Sequence, residues 1–78
     1  MAGYRVRIRA AAEAELLGLP FPLRRQVNHK ICGLKREPRP VGCEELGGGR
    51  CRLRLHGRRI LYTIDDVQNL VTVYAIRS

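Results

Sequence analysis

The sequence predicts an α+β fold in which a helical hairpin packs on one face of a four-stranded, mainly antiparallel sheet. Polar and apolar residues alternate near the N-terminus and again after residue 50, as they do in strands with one buried face. Between these segments the apolar residues recur at helical spacing. Each of these amphipathic elements needs a covering partner, which helices on one face of a sheet provide. The predicted order is therefore β-α-α-β-β-β, within a single domain over residues 1–78.

The first half of the chain predicts one strand and two helices. In YRVRIR, residues 4–9, apolar residues alternate with arginine. The following AAAEAELLGL, residues 10–19, is rich in strong helix formers and predicts a helix with Leu16 and Leu17 facing the core. A second helix is predicted over residues 21–36, because prolines are tolerated in its first turn and apolar residues then recur at helical spacing. These apolar residues are Leu23, Val27, Ile31 and Leu34.

The second half predicts a loop and a meander of three strands. Residues 37–49 contain two prolines and a run of glycines, which indicates a loop. The segments 50–55 and 58–64 read as strands, and the His56-Gly57 pair between them is typical of a two-residue hairpin turn. The last segment, 70–76, is apolar on both faces and predicts a central strand.

Composition favours an intracellular protein with an anionic partner. The net charge is +8 and the sequence pI is about 10.5, and every basic residue except Lys30 and Lys35 is arginine. The three cysteines have no CxxC spacing, which predicts a reduced, cytoplasmic compartment with no metal site. Cys32 and Cys51 fall at apolar positions and are predicted to be small core residues. No segment is apolar and long enough to predict a signal peptide or a membrane span.

The stretch RCRLRL places arginines on one face of a strand. Across the predicted turn, Arg54 should lie opposite Arg59 and Leu55 opposite Arg58. Arg52 shares the face of Arg54, and we expect the helices to leave this face open. The row is either the solvated face of a half-buried strand or a site for an anion. Such clustering of like charge costs stability unless an anion binds, which favours the second interpretation. No well-placed histidine or carboxylate is expected on this face, with the exception of His56 at the turn.

These segments together resemble the RelE/ParE superfamily of toxins from bacterial toxin–antitoxin systems, over nearly the whole chain. The resemblance is carried by YRVRIR, by PRPVGCEELGGG, by CRLRLHGRRILYTIDD and by the closing LVTVYAI. It implies a helical hairpin on a twisted antiparallel sheet, and metal-independent cleavage of messenger RNA in the ribosomal A site without a cofactor. By motif, the catalytic basic residues are predicted to be Arg52, Arg54, Arg59 and Arg77. RNA binding is predicted to involve Arg50, Arg58 and Lys35.

The resemblance also implies partners and leaves alternatives open. A cognate antitoxin is expected in a toxin–antitoxin hetero-oligomer, together with the ribosome and its mRNA. Many RelE toxins continue past the last strand to a catalytic tyrosine, whereas this sequence ends at Ser78, and Cys51 stands where an aromatic residue is usual. The alternatives are therefore a ParE-like toxin that acts on DNA gyrase, or a degenerate, non-catalytic module that binds an antitoxin or nucleic acid.

Overall fold

The computed structural model describes residues 3–78 and contains two helices and five strands. Met1 and Ala2, which the predicted domain 1–78 includes, lie outside the described residues. The elements are β1 (Arg5–Ile8), α1 (Ala10–Leu17), α2 (Phe21–Gly33), β2 (Glu44–Gly47), β3 (Arg50–Leu55), β4 (Arg58–Asp65) and β5 (Leu70–Arg77). The predicted helices and the four predicted strands are all present, and β2 is additional.

The strands form one sheet in the order β1-β5-β4-β3-β2. Strand β1 pairs with β5 in parallel, and all other pairs are antiparallel. The prediction of four strands is wrong, because part of the predicted loop pairs with β3 as β2: Glu44 lies opposite Arg52 and Glu45 opposite Cys51. All four residues of β2 are exposed, so the segment has no buried face and therefore no alternation of polar and apolar residues.

Both helices cover the same face of the sheet. Helix α2 begins after Pro20 and carries Pro22 in its first turn, where proline costs no hydrogen bond. The core contains side chains of both helices and the inward-facing side chains of β3, β4 and β5. Its buried members are Ala12, Leu16, Val27, Ile31, Leu34, Cys51, Leu53, Ile60, Tyr62, Ile64, Val71, Val73 and Ile76. Neither helix within residues 3–78 is long and apolar enough to cross a membrane.

Two expectations about the helices are wrong. Leu17 is 60% exposed, although Leu16 is buried as predicted. Adjacent helical positions differ by about 100° in direction, so only one of the two leucines can face the sheet from this short helix. Cys32 is exposed for the same reason, because its neighbour Ile31 takes the inward position on α2. Cys51 is buried, as predicted.

The loop between α2 and β2 is fixed by polar contacts at both sides. The buried hydroxyl of Tyr62 donates a hydrogen bond to the carbonyl of Pro38 over 2.8 Å. Arg39 donates to both carboxylate oxygens of Asp66, over 3.3 and 2.9 Å, and the Tyr4 hydroxyl donates to the same carboxylate over 2.6 Å. These contacts hold the loop against β4 and against the turn after it, and so position β2 beside β3.

Candidate anion-binding site on the open face of the sheet

Three arginines lie side by side on the face of the sheet that the helices leave uncovered. Arg54 on β3 is the direct cross-strand partner of Arg59 on β4, and Arg59 is in turn the partner of Arg77 on β5. Neighbouring strands are about 4.8 Å apart, so the backbone positions of this arginine row (Arg54, Arg59 and Arg77) span about 10 Å. The side chains of Arg54 and Arg77 are 64% and 60% exposed, so the row is open to a ligand.

The β3–β4 turn sets this alignment. His56 and Gly57 have positive φ angles of 49° and 77°, as the two central residues of a type I′ turn require. The turn pairs Leu55 with Arg58 and Arg54 with Arg59, as the sequence predicted.

Arg52 lies on the same face as the arginine row, two residues before Arg54 on β3. Its partner on β4 is Leu61, whose own partner on β5 is Ala75. Ala75 is buried, whereas the half-buried Leu61 gives the face a small apolar surface beside the guanidinium groups. A phosphate group held beside this surface would be less exposed to water than on an entirely polar face.

A carboxylate contacts the two arginines of β3. The Nε of Arg52 donates a hydrogen bond to Oε1 of Glu44 over 2.7 Å, and the Nε of Arg54 lies 3.5 Å from the same oxygen. The hydrogen bond from Arg52 and the positive charges of both arginines lower the pKa of Glu44 below its usual value, and the same carboxylate raises the pKa of Arg52. Glu44 is therefore ionised at neutral pH and partly neutralises this end of the site.

The other two members of the row are also oriented by acceptors. The Nη2 of Arg59 donates to the backbone oxygen of Ser78 over 2.8 Å, and the Nε of Arg77 lies 3.3 Å from Oε2 of Glu15. The second oxygen of Glu15 accepts the backbone N–H of Ile76 over 2.7 Å, which fixes the carboxylate at this end of β5. Exposed ion pairs of this kind contribute little net stability, so the guanidinium groups can exchange these partners for an anionic ligand at little cost.

The structure brings together all four residues that were predicted to be catalytic, but not all of the predicted RNA-binding residues. Arg50 lies on the same face, opposite Thr63. Arg58 lies opposite Leu55 and so belongs to the helix-bearing face. Lys35 is at the far end of the molecule, where its carbonyl accepts the N–H of Tyr4 beside the start of β1. The alternation of residues in β4 separates Arg58 from Arg59, whereas the position of Lys35 depends on the tertiary fold.

The expectation that no carboxylate lies on this face is wrong, because Glu44 is there. The available signal was the run Gly47-Gly48-Gly49, which reverses the chain between β2 and β3 with φ angles of 94°, 62° and 78°. Two glutamates before such a turn and arginines after it are typical of paired strands with complementary charge. Within residues 3–78, no group of three or more His, Cys, Asp or Glu side chains is placed to hold a metal ion.

Comparisons with known proteins give structural matches along nearly the whole chain. The RelBE2 toxin–antitoxin complex of Mycobacterium tuberculosis matches with 32% identity and a TM-score of 0.82, over 97% of this chain and 91% of that chain. The archaeal RelE–RelB complex of Pyrococcus horikoshii matches with 23% identity and a TM-score of 0.83, over 95% and 92% of the two chains. The isolated RelE toxin of E. coli matches with 22% identity and a TM-score of 0.83, over 96% and 83%. No protein-family model and no curated protein sequence gave a significant match.

Proposed function

The chain belongs to the RelE family of toxins, and we propose that it cleaves messenger RNA on the ribosome as the toxin of a type II toxin–antitoxin pair. The observation that carries this proposal is the arginine row, with Arg52 beside it, on the open face of the sheet. Guanidinium groups bind phosphate in a bidentate manner and keep their charge at all physiological pH values. The proposed site of action is the cytoplasm, where ribosomes and mRNA are found.

The chemistry suited to this site is attack of a ribose 2′-oxygen on the neighbouring phosphate. The bond from the 2′-oxygen to phosphorus forms while the bond from phosphorus to the 5′-oxygen breaks, and negative charge builds on the nonbridging oxygens. Donors that are already oriented stabilise this charge more in the transition state than in the ground state. The same arginines bind the RNA by neutralising its phosphates, and Arg50 extends this surface along β3.

The reaction also moves a proton from the 2′-hydroxyl to an acceptor, and the leaving 5′-oxygen takes a proton from solvent water, which reaches this exposed face. Arginine cannot accept a proton, because it is already protonated. Glu44 contacts both arginines of β3, and its pKa is lowered while they hold it. When a phosphate takes over those guanidinium groups, the pKa of Glu44 rises toward its usual value and the carboxylate becomes a better proton acceptor. Glu44 is therefore the proposed acceptor once a phosphate is bound, whereas in the free protein it orients Arg52.

The proposed partner is a cognate antitoxin, in a hetero-oligomer with this chain. The solved complexes of RelBE2 and of archaeal RelE contain such a partner. The net charge of +8 favours association with an acidic protein segment, because electrostatic complementarity accelerates encounter and selects the partner. Binding of an acidic segment over the arginine row would exclude RNA from it.

Induction in bacterial cells tests the proposal. Wild type is compared with the double variant Arg52→Ala/Arg59→Ala and with Arg36→Ala, a control at an exposed arginine after α2. We expect growth arrest and new mRNA ends by primer extension for wild type and the control, and neither for the double variant. Equal arrest by the double variant would contradict the proposal. Arrest with an SOS response and no mRNA cuts would favour action on DNA gyrase, and RNA binding without cleavage would favour a non-catalytic module.

A further inference from the structure

Two of the three thiols meet on the helix-bearing side of the sheet, at the start of β2. Cys51 on β3 is a core residue, and Cys43, one residue before β2, is half-buried and packs against the same core. Glu45 is the direct cross-strand partner of Cys51. Because side chains two residues apart share a face of a strand, Cys43 and Cys51 lie on one face as diagonal neighbours.

The hydroxyl of Tyr62 holds the Cys43 thiol in this position. Tyr62 is the direct cross-strand partner of Cys51 on β4, and its hydroxyl oxygen lies 3.2 Å from the sulfur of Cys43. Since Tyr62 donates its own proton to the carbonyl of Pro38, the Cys43 thiol is the donor in this contact. The Cys51 thiol lies within hydrogen-bonding reach of Cys43. The two sulfurs and the hydroxyl therefore form one contiguous cluster.

The two thiols differ in access and in acidity. Cys51 is 2% exposed, and burial, together with the hydrogen bond to Cys43, raises its pKa to about 11. Cys51 is therefore almost entirely protonated at neutral pH and protected from oxidants in solvent. Cys43 is half-buried, so a small molecule can reach its sulfur. An accessible thiol beside a second, protected thiol is the arrangement in which the first is oxidised and the second resolves it.

We infer that Cys43 and Cys51 are a redox-sensitive pair, which hydrogen peroxide converts into a disulfide that ties β2 to β3. The Cys43 thiolate attacks one peroxide oxygen and the O–O bond breaks, which gives a sulfenic acid on Cys43. The departing hydroxide takes up the proton that Cys43 lost and becomes water. The Cys51 sulfur then bonds to the Cys43 sulfur and displaces the hydroxyl group, which leaves as water with the Cys51 proton. In total, two thiols and one peroxide give one disulfide and two water molecules.

Closure of this disulfide needs only a local movement. Diagonal cross-strand neighbours have Cα atoms about 7–8 Å apart, slightly farther than the range of about 4.4–6.8 Å found in disulfides. Cys43 lies before β2 and directly after Gly42, whose φ angle of 91° belongs to a turn, so the backbone at Cys43 can approach β3. Cys43 then exchanges its contact with Tyr62 for a bond to Cys51.

The disulfide would restrict the strand that carries Glu44. All four residues of β2 are exposed, and a bulge interrupts its register with β3. Glu44 follows Cys43 and Arg52 follows Cys51, so the disulfide joins the two strands directly behind the ion pair of Glu44 with Arg52. Oxidation therefore reduces the mobility of β2. The inference concerns the two sulfurs and does not depend on RNA cleavage.

Disulfide mapping after peroxide treatment tests the inference directly. Trypsin leaves the three cysteines on separate peptides, which cover residues 31–35, 37–50 and 51–52. Once free thiols are blocked with iodoacetamide, each possible pair of cysteines gives a distinct linked product in mass spectrometry. Wild type is treated in native buffer and, as a matched control, in concentrated urea, with enough peroxide to oxidise free cysteine completely.

The ratio of the linked products separates folded geometry from chance. In urea, the loops that close Cys32 on Cys43 and Cys43 on Cys51 have similar lengths, so their yields should differ by about twofold or less. In the folded protein we expect the product of Cys43 with Cys51 to exceed every other pair by about tenfold or more. Dithiothreitol should reverse it. The same ratio of products in native buffer and in urea would overturn the inference.

Variants without the exposed Cys32 thiol check the pair and its effect on β2. Peroxide should lower the mass of monomeric Cys32→Ser by about 2 Da, whereas Cys32→Ser/Cys43→Ser should keep the Cys51 thiol. Circular dichroism checks that both variants are folded. The amides of β2 should exchange with solvent about tenfold more slowly in oxidised than in reduced Cys32→Ser. Retention of both thiols by Cys32→Ser, or unchanged exchange in β2, would overturn the inference and would leave the proposed RNA cleavage unaffected.

Discussion

Replacing Arg59 with glutamine should stabilise the folded protein at low salt, because Arg59 lies between two like charges. Its cross-strand partners are Arg54 and Arg77. If each pair of guanidinium groups is about 8 Å apart in water, its repulsion is about 0.5 kcal/mol, or about 1 kcal/mol for both. Loss of the exposed hydrogen bond to Ser78, together with loss of the attraction of Arg59 to Glu44 and Glu15 beside its neighbours, offsets about half of this gain. The expected net increase in the free energy of unfolding is about 0.5 kcal/mol at low ionic strength.

Urea denaturation at two salt concentrations measures this effect. Between about 10 and 500 mM NaCl the Debye length falls from about 30 Å to below 8 Å, so the repulsion within the row is screened and the gain should disappear. The control is Arg36→Gln, which lowers the net charge equally without removing a cross-strand pair of arginines. The reasoning would be refuted if both variants showed the same salt dependence, or if Arg59→Gln were destabilised equally at both concentrations.

Three further predictions concern contacts and thiols away from the arginine row. Tyr62→Phe should cost about 1–3 kcal/mol in urea denaturation, because the buried carbonyl of Pro38 loses its donor; a loss below about 0.5 kcal/mol would contradict the contact. The pKa of Asp66 is lowered from 3.8, first by the hydrogen bond from Arg39, so its stabilisation is full above about pH 5 and is lost as pH falls through the folded pKa. Asp66→Asn should therefore reduce the fall in the free energy of unfolding at acidic pH. An unchanged fall would contradict a stabilising contact between Arg39 and Asp66. Exposed Cys32 should react with iodoacetamide well before the two other thiols, because burial raises the pKa of Cys51 to about 11 and the half-buried Cys43 thiol contacts the Tyr62 hydroxyl. A fast phase that survives Cys32→Ser would disagree.

The part of the fold that depends on local pattern was predictable from the sequence. The alternation in RCRLRL and the turn at His56-Gly57 fix which residues of β3 and β4 lie opposite one another, and the structure has the predicted pairing of Arg54 with Arg59. The apolar spacing along α2 likewise identified its buried side, with Val27 and Ile31 in the core. Both features depend on sequence neighbours and on backbone geometry alone.

The remainder depends on contacts that are distant in sequence. The fully exposed strand β2 leaves no apolar pattern, and its pairing with β3 is supported by the ion pair between Glu44 and Arg52. The parallel pairing of β1 with β5 places Arg77 on an inner strand of the sheet, where it lies beside Arg59. Sequence motif alone suggested Arg77 as a site residue, and the register of β4 with β5 supplies the physical reason. Lys35 is distant from the row because the loop after α2 leads away from it.

The most direct test of the central claim is the single-turnover cleavage rate of mRNA on programmed ribosomes. Wild type, Arg59→Ala and Arg36→Ala are compared, and binding is measured separately with mRNA that carries a 2′-deoxy nucleotide at the cleavage position. Loss of one donor to a developing charge typically costs about 10²–10³ in rate. We predict a loss of this size for Arg59→Ala, with affinity changed by less than about tenfold, and a rate close to wild type for Arg36→Ala. Cleavage by Arg59→Ala at the wild-type rate would contradict the assignment of the arginine row as the catalytic site.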